Sequence, residues 1–309
     1  MRVLVMGSGG VGGLCGALLA HQGNEVTFVA RGPNLAALRE RGLEVRSGGQ
    51  PLLLRPVRAV SSPAESDGDA ELVLFTVKTY DTAEAVQALR PAIGPGTAVL
   101  TLQNGVESAD QLSAALGTEH VLVGTAVVVS ALVEPGVIEA GPVRKITLGE
   151  LSGALSPRVE AIAAVLRQAG IEVTVTTNPR RAVWEKLVPL AAHATISSAC
   201  QLPLGPIRER PEGAALYRQL IEEAVAVGRA SGVALDEDAA DRAMALVMGM
   251  PRETRSSMER DYQLQRRVEL EQLTGTVVRC ARDAGVPTPG FDVLYAILRV
   301  RALMFGGVA

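Results

Sequence analysis

Cysteine, histidine and aromatic residues are scarce in this sequence of 309 residues. The three cysteines, Cys15, Cys200 and Cys280, are far apart and include no C-x-x-C pair, which argues against a disulfide framework and a structural zinc site. With 3% aromatic residues and a formal net charge of −3, the sequence has neither a stacking platform nor a basic face. We therefore expect a reducing environment, no metal site and no nucleic-acid partner.

Long apolar runs and targeting signals are also missing. The most apolar stretch, residues 121–133, is interrupted by Gly124, Thr125 and Ser130 and falls short of the roughly 18 residues that span a bilayer. The chain opens directly on a strand-like run and shows no signal-peptide cleavage pattern. Its length suits about two domains on a prior of roughly 100 to 200 residues per domain. These features predict a soluble, cytoplasmic globular protein without a membrane partner.

The first half of the sequence alternates short apolar runs with amphipathic stretches, as a parallel sheet with crossover helices does. Strands are predicted at residues 3–6, 25–29, 72–77, 98–102, 121–129 and 172–176. Helices are predicted at residues 10–22, 34–40, 81–89, 107–116 and 157–168. Two short runs, 136–140 and 145–148, predict an antiparallel extension of the sheet.

After Asn178 and Pro179 the apolar residues recur at helical spacing and no clear strand appears. Helices are predicted at residues 181–199, 213–231, 236–248, 265–284 and 290–300. The pattern predicts an α/β domain in residues 1–178 and an all-helical C-terminal domain in residues 179–309.

A glycine-rich turn joins the first predicted strand to the first predicted helix. It has the pattern G-x-G-x-x-G and consists of Gly7, Ser8, Gly9, Gly10, Val11 and Gly12. In this position the first glycine permits a tight turn, the second lets the backbone approach a pyrophosphate, and the third lets helix and strand pack closely. The positive end of the helix dipole favours the phosphates. The motif predicts a Rossmann-type dinucleotide-binding domain, with a ligand-free glycine turn as the alternative.

The residue that follows the second predicted strand indicates which dinucleotide binds. An NAD-binding domain carries an acidic residue there, about 20 residues past the glycine motif, to hold the ribose 2′-hydroxyl. This sequence instead has Val29, Ala30 and Arg31. A guanidinium with no neighbouring carboxylate suits a 2′-phosphate, which it can bind through two hydrogen bonds. We therefore expect NADP(H) rather than NAD(H), the alternative being a solvated arginine at a strand end.

Five further motifs follow the glycine turn in a characteristic order and spacing. They are Thr76-Val77-Lys78, Gln103-Asn104-Gly105, Trp184-Glu185-Lys186-Leu187, Ser256-Ser257-Met258, and Val268-Glu269-Leu270 near Gly275. With them the sequence resembles the ketopantoate reductases (2-dehydropantoate 2-reductases) over essentially its whole length. The resemblance implies a dinucleotide-binding domain, a helical domain and an active site in the cleft between them. It also implies NADPH-dependent reduction of the ketone of 2-dehydropantoate in pantothenate synthesis.

The resemblance also implies roles for individual residues. Lys186 would be the general acid, and Glu269 and Ser257 would hydrogen-bond to the substrate or within the active site. Asn104 would lie at the nicotinamide and help to orient the lysine, and Lys78 would lie near the cofactor or the substrate carboxylate. Hydride attack on a ketone builds negative charge on oxygen, which a positioned ammonium can neutralise and protonate. The alternatives are a solvated lysine, a surface ion pair at Glu269 and an ordinary Asn-Gly turn.

Two positions depart from the family pattern. The family has asparagines four and eight residues after the lysine, whereas this sequence has Leu190 and Ala194 on nearly the same helix face. His193 is a candidate replacement contact to the substrate, the alternative being a histidine packed between helices.

The departure leaves more than one function open. The leading expectation is a reductase of a small 2-oxo acid. The alternatives are a related NADPH reductase of a more apolar ketone or imine, and a non-catalytic NADP(H)-binding sensor. The apolar-rich helical domain could also bury a homodimer interface.

Overall fold

In the computed structural model, which describes residues 1–305, the chain divides into two compact units. The sheet unit comprises Met1–Gln103 and Glu107–Pro179. The helical unit comprises the chain from Arg180 onward together with the short segment Asn104–Val106. The chain therefore leaves the sheet unit for these three residues and then returns to it.

The described part of the sheet unit holds one sheet of ten strands and five α-helices. The strands are β1 Arg2–Met6, β2 Glu25–Val29, β3 Leu43–Arg46, β4 Leu52–Leu54, β5 Arg58–Val60, β6 Leu72–Phe75, β7 Ala98–Thr101, β8 Val121–Glu134, β9 Val137–Glu150 and β10 Glu172–Val175. The helices are α1 Gly10–His21, α2 Gly32–Arg41, α3 Thr82–Leu89, α4 Ser108–Leu116 and α5 Pro157–Gln168. The strand order is β4-β3-β9-β8-β7-β6-β1-β2-β5, and β10 also pairs with β9.

The centre of the sheet is parallel and buried. Val5 in β1 pairs with Phe28 of β2 on one side and with Leu74 of β6 on the other, and all three side chains belong to the core. Such runs of buried aliphatic residues are typical of parallel strands covered on both faces. Because the chain passes from β1 to β2 on one side and returns to β6 on the other, the carboxyl end of β1 is a topological switch point, where open α/β sheets bind ligands.

The strands outside that centre differ from the prediction. The antiparallel extension is confirmed, because β8 and β9 pair antiparallel, but the two short runs predicted within residues 136–148 form one strand of 14 residues. The opposite edge of β9 has two partners, since Val45 of β3 pairs with Ile138 and Val173 of β10 pairs with Ile146. The three short strands β3, β4 and β5 were not predicted, and each has only three or four residues.

The helical unit contains no strand among residues 180–305, as predicted. Its helices are α6 Pro179–Cys200, α7 Leu204–Arg208, α8 Pro211–Ala230, α9 Ala239–Gly249, α10 Ser257–Gln263, α11 Thr276–Ala284 and α12 Pro289–Ala302. The prediction of a helix at residues 265–284 is wrong for its first part. Gln265 has a left-handed φ of 53°, and a five-residue π-helical turn, Glu271–Gly275, precedes α11. No helix within residues 1–305 is both long and apolar enough to cross a membrane.

The core of the helical unit surrounds α6. Trp184, Leu187 and Ala191 of that helix are buried and pack with Tyr217 and Leu220 of α8. A helix buried on most of its faces places its few polar side chains in a dry environment. The surroundings of a lysine on α6 therefore differ from those of a surface lysine.

Candidate active site

The glycine turn after β1 has the geometry that its sequence predicts. Gly7 has φ +107°, and a Cβ atom there would lie 2.6 Å from the backbone nitrogen of Val77. A Cβ atom on Gly12 would lie 2.2 Å from Thr76 Oγ1 and 2.3 Å from the carbonyl oxygen of Gly7. In contrast, a Cβ atom on Gly9 would meet no heavy atom within 4 Å. Gly7 and Gly12 are thus required by packing, while the space at Gly9 is open to a ligand.

The remaining residues of the motif tie the turn to its surroundings. Ser8 Oγ donates a hydrogen bond of 2.8 Å to the carbonyl oxygen of Val29 at the end of β2, and Asn34 Nδ2 of α2 donates to the carbonyl oxygen of Ser8 at 3.2 Å. A Cβ atom on Gly10 would lie 2.6 Å from the carbonyl oxygen of Ser130 in β8. Val11 packs on the core of the sheet unit. These contacts hold the turn at a fixed place beside the end of β2.

Arg31 follows the end of β2 and precedes the first residue of α2. Its Nη2 atom lies 2.7 Å from Glu84 Oε1, and both side chains are exposed. The fold therefore supplies a carboxylate beside Arg31, although none is near it in the sequence. Glu84 lies 53 residues further along, in the first turn of α3, and no local sequence pattern could have identified it.

Lys78 lies on the same edge of the sheet as the glycine turn. It comes three residues after the end of β6, and its side chain is half-buried. Thr76 Oγ1, two residues earlier, donates a hydrogen bond of 2.8 Å to the carbonyl oxygen of Gly7. The segment that carries Lys78 is thus attached directly to the glycine turn, as a role near the cofactor requires.

Three of the predicted site residues meet in the helical unit. Lys186 Nζ, on α6, donates a hydrogen bond of 2.8 Å to Asn104 Oδ1. Burial lowers the pKa of Lys186 from 10.5 to about 8, and the charge of Glu269 opposes this shift. Glu269 is itself buried. Lys186 therefore has an orienting acceptor, a nearby carboxylate and a pKa close to neutral pH.

The segment that carries Asn104 is held by a close backbone approach. Gly105 has φ +90°, and a Cβ atom there would lie 2.8 Å from the carbonyl oxygen of Gln272. Val106 packs on the core of the helical unit. The glycine of the Asn-Gly pair is therefore required for packing and not only for the turn, since it permits the close approach of Gln272 next to Asn104.

Ser257 is the first residue of α10 and is half-buried. The cap of this helix is its neighbour Ser256, whose Oγ accepts a hydrogen bond of 3.0 Å from the backbone nitrogen of Glu259. The Oγ atoms of Ser256 and Ser197 are 3.0 Å apart. Because Ser256 caps the helix, the role predicted for Ser257 does not compete with capping.

His193 is packed between two helices. It is buried, and its Nδ1 atom lies 2.9 Å from the hydroxyl oxygen of Tyr217 on α8. Burial lowers the pKa of His193 to about 4, so the ring is neutral. This is the packed alternative considered above, and it gives no support to the predicted contact between His193 and the substrate. Of the two departures from the family pattern, Ala194 is fully buried and Leu190 is half-buried.

Comparisons with known proteins find one family over both halves of the chain. A model described as "Ketopantoate reductase PanE/ApbA" matches residues 3–153, and the model of the C-terminal region of the same family matches residues 178–302. A 2-dehydropantoate 2-reductase of Halobacterium salinarum is 35% identical over 302 residues, which is 97% of this chain and 98% of the relative. An uncharacterized oxidoreductase of Bacillus subtilis, YkpB, is 29% identical over 97% of this chain and 98% of its own length.

Solved structures show the same likeness. A PanE/ApbA family ketopantoate reductase from Ralstonia eutropha JMP134 has a TM-score of 0.90 at 33% identity, and the match covers 99% of this chain and 100% of that one. A D-mandelate dehydrogenase in complex with NADH and anilino(oxo)acetate has a TM-score of 0.91 at 17% identity, over 99% of this chain and 100% of that one, which shows a shared fold alone. Since the two family models span both units, and relatives of 33% and 35% identity align over nearly the whole chain, this protein belongs to the ketopantoate reductase family.

Proposed function

We propose that this protein reduces the ketone of a 2-oxo acid with NADPH, and that the substrate is 2-dehydropantoate, which becomes pantoate. The observation that carries the proposal is the half-buried ammonium of Lys186, bound to Asn104 and close to Glu269. Residues 1–178 would bind the cofactor and residues 179–309 would bind the substrate. A binding protein that only senses NADP(H) has no need of a desolvated lysine with a pKa near 8.

The sheet unit fits a dinucleotide. The open space at Gly9, the tight turn at Gly7 and the N-terminus of α1 together form a cradle for a pyrophosphate. Arg31 would bind the 2′-phosphate through its guanidinium, either by displacing Glu84 or by binding the phosphate and Glu84 together. When bound, NADPH supplies the hydride that reduces the ketone carbon.

Lys186 would act as the proton donor. Negative charge grows on the carbonyl oxygen during reduction, and an ammonium within hydrogen-bonding reach stabilises that charge and then gives up a proton. A pKa of about 8 keeps the group charged near neutral pH while making it a better acid than an exposed lysine. Asn104 Oδ1 accepts a hydrogen bond from one of its three N–H groups and thereby orients the other two.

The substrate carboxylate and polar groups would be bound by other side chains. Lys78 offers a cation for the carboxylate, and Ser257 and Glu269 offer hydrogen-bonding groups. These assignments fit a small 2-oxo acid, for which one cation, one hydroxyl and one proton donor are sufficient recognition elements.

A second candidate substrate is a 2-oxo acid with an apolar side chain. Leu190 and Ala194 follow Lys186 at four and eight residues on α6 and carry no polar atoms on their side chains, and His193 is packed against Tyr217. A pocket wall without hydrogen-bonding groups loses most of its discrimination in favour of a substrate hydroxyl. This candidate predicts that 2-dehydropantoate and its deoxy analogue are reduced at similar rates.

The test follows the loss of NADPH absorbance with 2-dehydropantoate and with a panel of aliphatic and aromatic 2-oxo acids. Each substrate is run with NADPH and NADH, and with Lys186→Met as the inactive control. Turnover of 2-dehydropantoate that clearly exceeds that of the deoxy acids supports the first proposal, and turnover of the deoxy acids at a similar or higher rate supports the second. Tight NADPH binding without turnover of any keto acid would contradict both.

Location and assembly are part of the same proposal. We place the protein in the cytoplasm, where its separated cysteines stay reduced. The homodimer that the helical domain could form is tested by the mass of the protein in solution.

A further inference from the structure

The π-helical turn Glu271–Gly275 lies two residues after Glu269 and leads directly into α11. A π turn pairs each amide with the carbonyl five residues back, and it is less stable than an α-helical turn. Such turns are rare and occur often at functional sites. One that persists in a folded protein therefore needs contacts that hold it.

The contacts that hold this turn converge on its first residue. Tyr295 Oη, on α12, donates to the carboxylate of Glu271 at 2.8 Å, and Arg279 Nη1, on α11, donates to the same carboxylate at 2.8 Å. Arg279 Nη2 donates to the main-chain carbonyl oxygen of Glu271 at 3.0 Å. Thr276 Oγ1 donates to that carbonyl oxygen as well, at 3.2 Å.

The charge states of Tyr295 and Arg279 favour hydrogen bonds to Glu271. Burial and the hydrogen bond to Glu271 raise the pKa of Tyr295, so its hydroxyl stays a donor. Arg279 is half-buried and binds both the side chain and the main chain of Glu271, which fixes that residue at two points. Charge-assisted hydrogen bonds of this kind are roughly twice as strong as neutral ones.

The same turn supports the proposed proton donor. The carbonyl oxygen of Gln272, the second residue of the turn, faces Gly105, and Asn104 next to it accepts the hydrogen bond from Lys186. Glu269, whose charge acts on Lys186, comes two residues before the turn. Relaxing a π turn into an α turn moves the preceding residues by one helical position, about 100° and 1.5 Å. Asn104 and Glu269, the two residues that act on the amine of Lys186, would then move.

We propose that Arg279 and Tyr295 are positioning residues, which hold the π turn through Glu271 so that Asn104 and Glu269 keep the ammonium of Lys186 in its reactive place. The inference rests on the proposed function, because it assumes that Lys186 is the proton donor. It assigns a role to two side chains that need no contact with substrate or cofactor.

The test compares Tyr295→Phe and Arg279→Gln with Tyr262→Phe as the matched control. Tyr262 is also buried, and its hydroxyl donates to the main-chain oxygen of Leu298 on α12 at 2.9 Å, so its loss removes a hydrogen bond to the same helix while both hydrogen bonds of Tyr295 and Arg279 to the Glu271 carboxylate remain. Rates are expressed per NADPH-binding site, which removes the effect of partial unfolding.

The expected result is a fall in kcat of about tenfold or more in both variants, since displacements near 1 Å cost up to about 100-fold, with the KM for NADPH unchanged. The control keeps the kcat of the parent. Equal loss in Tyr262→Phe, or a parental kcat in Tyr295→Phe and Arg279→Gln, would overturn the proposal.

A second readout needs no turnover. The rate at which Lys186 reacts with trinitrobenzenesulfonate across pH, followed by peptide mass spectrometry, gives the pKa of its amine. This pKa shifts by about half a unit or more in the two variants, because burial and charge around the amine change, and it stays unchanged in the control. A shift in a protein that reduces no keto acid would refute the proposed function but keep the positioning role, whereas an unshifted pKa refutes the positioning role.

Discussion

Replacing Lys186 with methionine should make the protein more stable near neutral pH. The native pKa of Lys186 is about 8, against 10.5 for an exposed lysine, because burial disfavours its charged form. Below pH 8 the folded protein must hold a partly desolvated ammonium that the unfolded chain leaves in water. As pH rises from 8 towards 10.5, the native lysine loses its proton before the unfolded one does, so the destabilising effect fades.

The size of the destabilisation follows from the difference between the native and unfolded pKa values of Lys186. Linkage gives about 3 kcal/mol of destabilisation at about pH 6.5 and about 1 kcal/mol at about pH 10, so the advantage of Lys186→Met over the parent should shrink by about 2 kcal/mol between the two. The unpaired Asn104 Oδ1 offsets part of the gain, by about 1 kcal/mol, but it does so at both pH values and cancels in the difference.

Urea unfolding of both proteins at the two pH values measures this difference. Lys186→Arg is the matched control, because its guanidinium stays charged throughout the range and should show no such fading. A stability advantage of Lys186→Met that is independent of pH would contradict this expectation, since it would mean that the amine is not desolvated in the folded state.

The glycine turn and Arg31 give two further predictions. Gly9→Ala should keep the parental melting temperature but bind NADPH more weakly in a titration, because its Cβ meets only the space left for a ligand. Gly12→Ala should instead lower the melting temperature, since its Cβ would lie 2.2 Å from Thr76 Oγ1. Equal melting temperatures of the Gly9→Ala and Gly12→Ala variants would contradict the different packing at the two glycines. Arg31→Ala should raise the KM for NADPH and leave that for NADH unchanged, and Glu84→Gln should lower the KM for NADPH by removing a carboxylate that competes with the 2′-phosphate. Unchanged selectivity in Arg31→Ala would remove its assigned role.

The sequence predicts best the features that depend on short, local patterns. The buried runs of β1 and β2, the glycine turn and the helix from Pro157 all lie within a residue or two of their predicted places. Their signals are continuous apolar residues, a motif of six residues and an N-terminal Ser-Pro pair, and none depends on a distant partner.

The missed features depend on distant partners. Strands such as β4 have three residues and form only because a neighbouring strand supplies hydrogen bonds. Glu84 reaches Arg31 across 53 residues, and the π turn is held by Tyr295, which lies 24 residues after Glu271. Similarly, the motif of Asn104 predicted its role near the lysine, but not the contact of Gly105 with Gln272 that fixes it.

We propose above that Lys186 donates the proton in the reduction of a 2-oxo acid. The direct measurement is kcat/KM for 2-dehydropantoate across pH, in the parent and in Lys186→Met, with NADPH at saturation. We expect kcat/KM of the parent to fall as pH rises through about 8, because Lys186 then loses its proton. In the variant we expect kcat/KM to be lower by about 10²- to 10⁴-fold and to show no such fall, while NADPH still binds. A Lys186→Met protein that reduces 2-dehydropantoate as fast as the parent would contradict the role of Lys186 as proton donor.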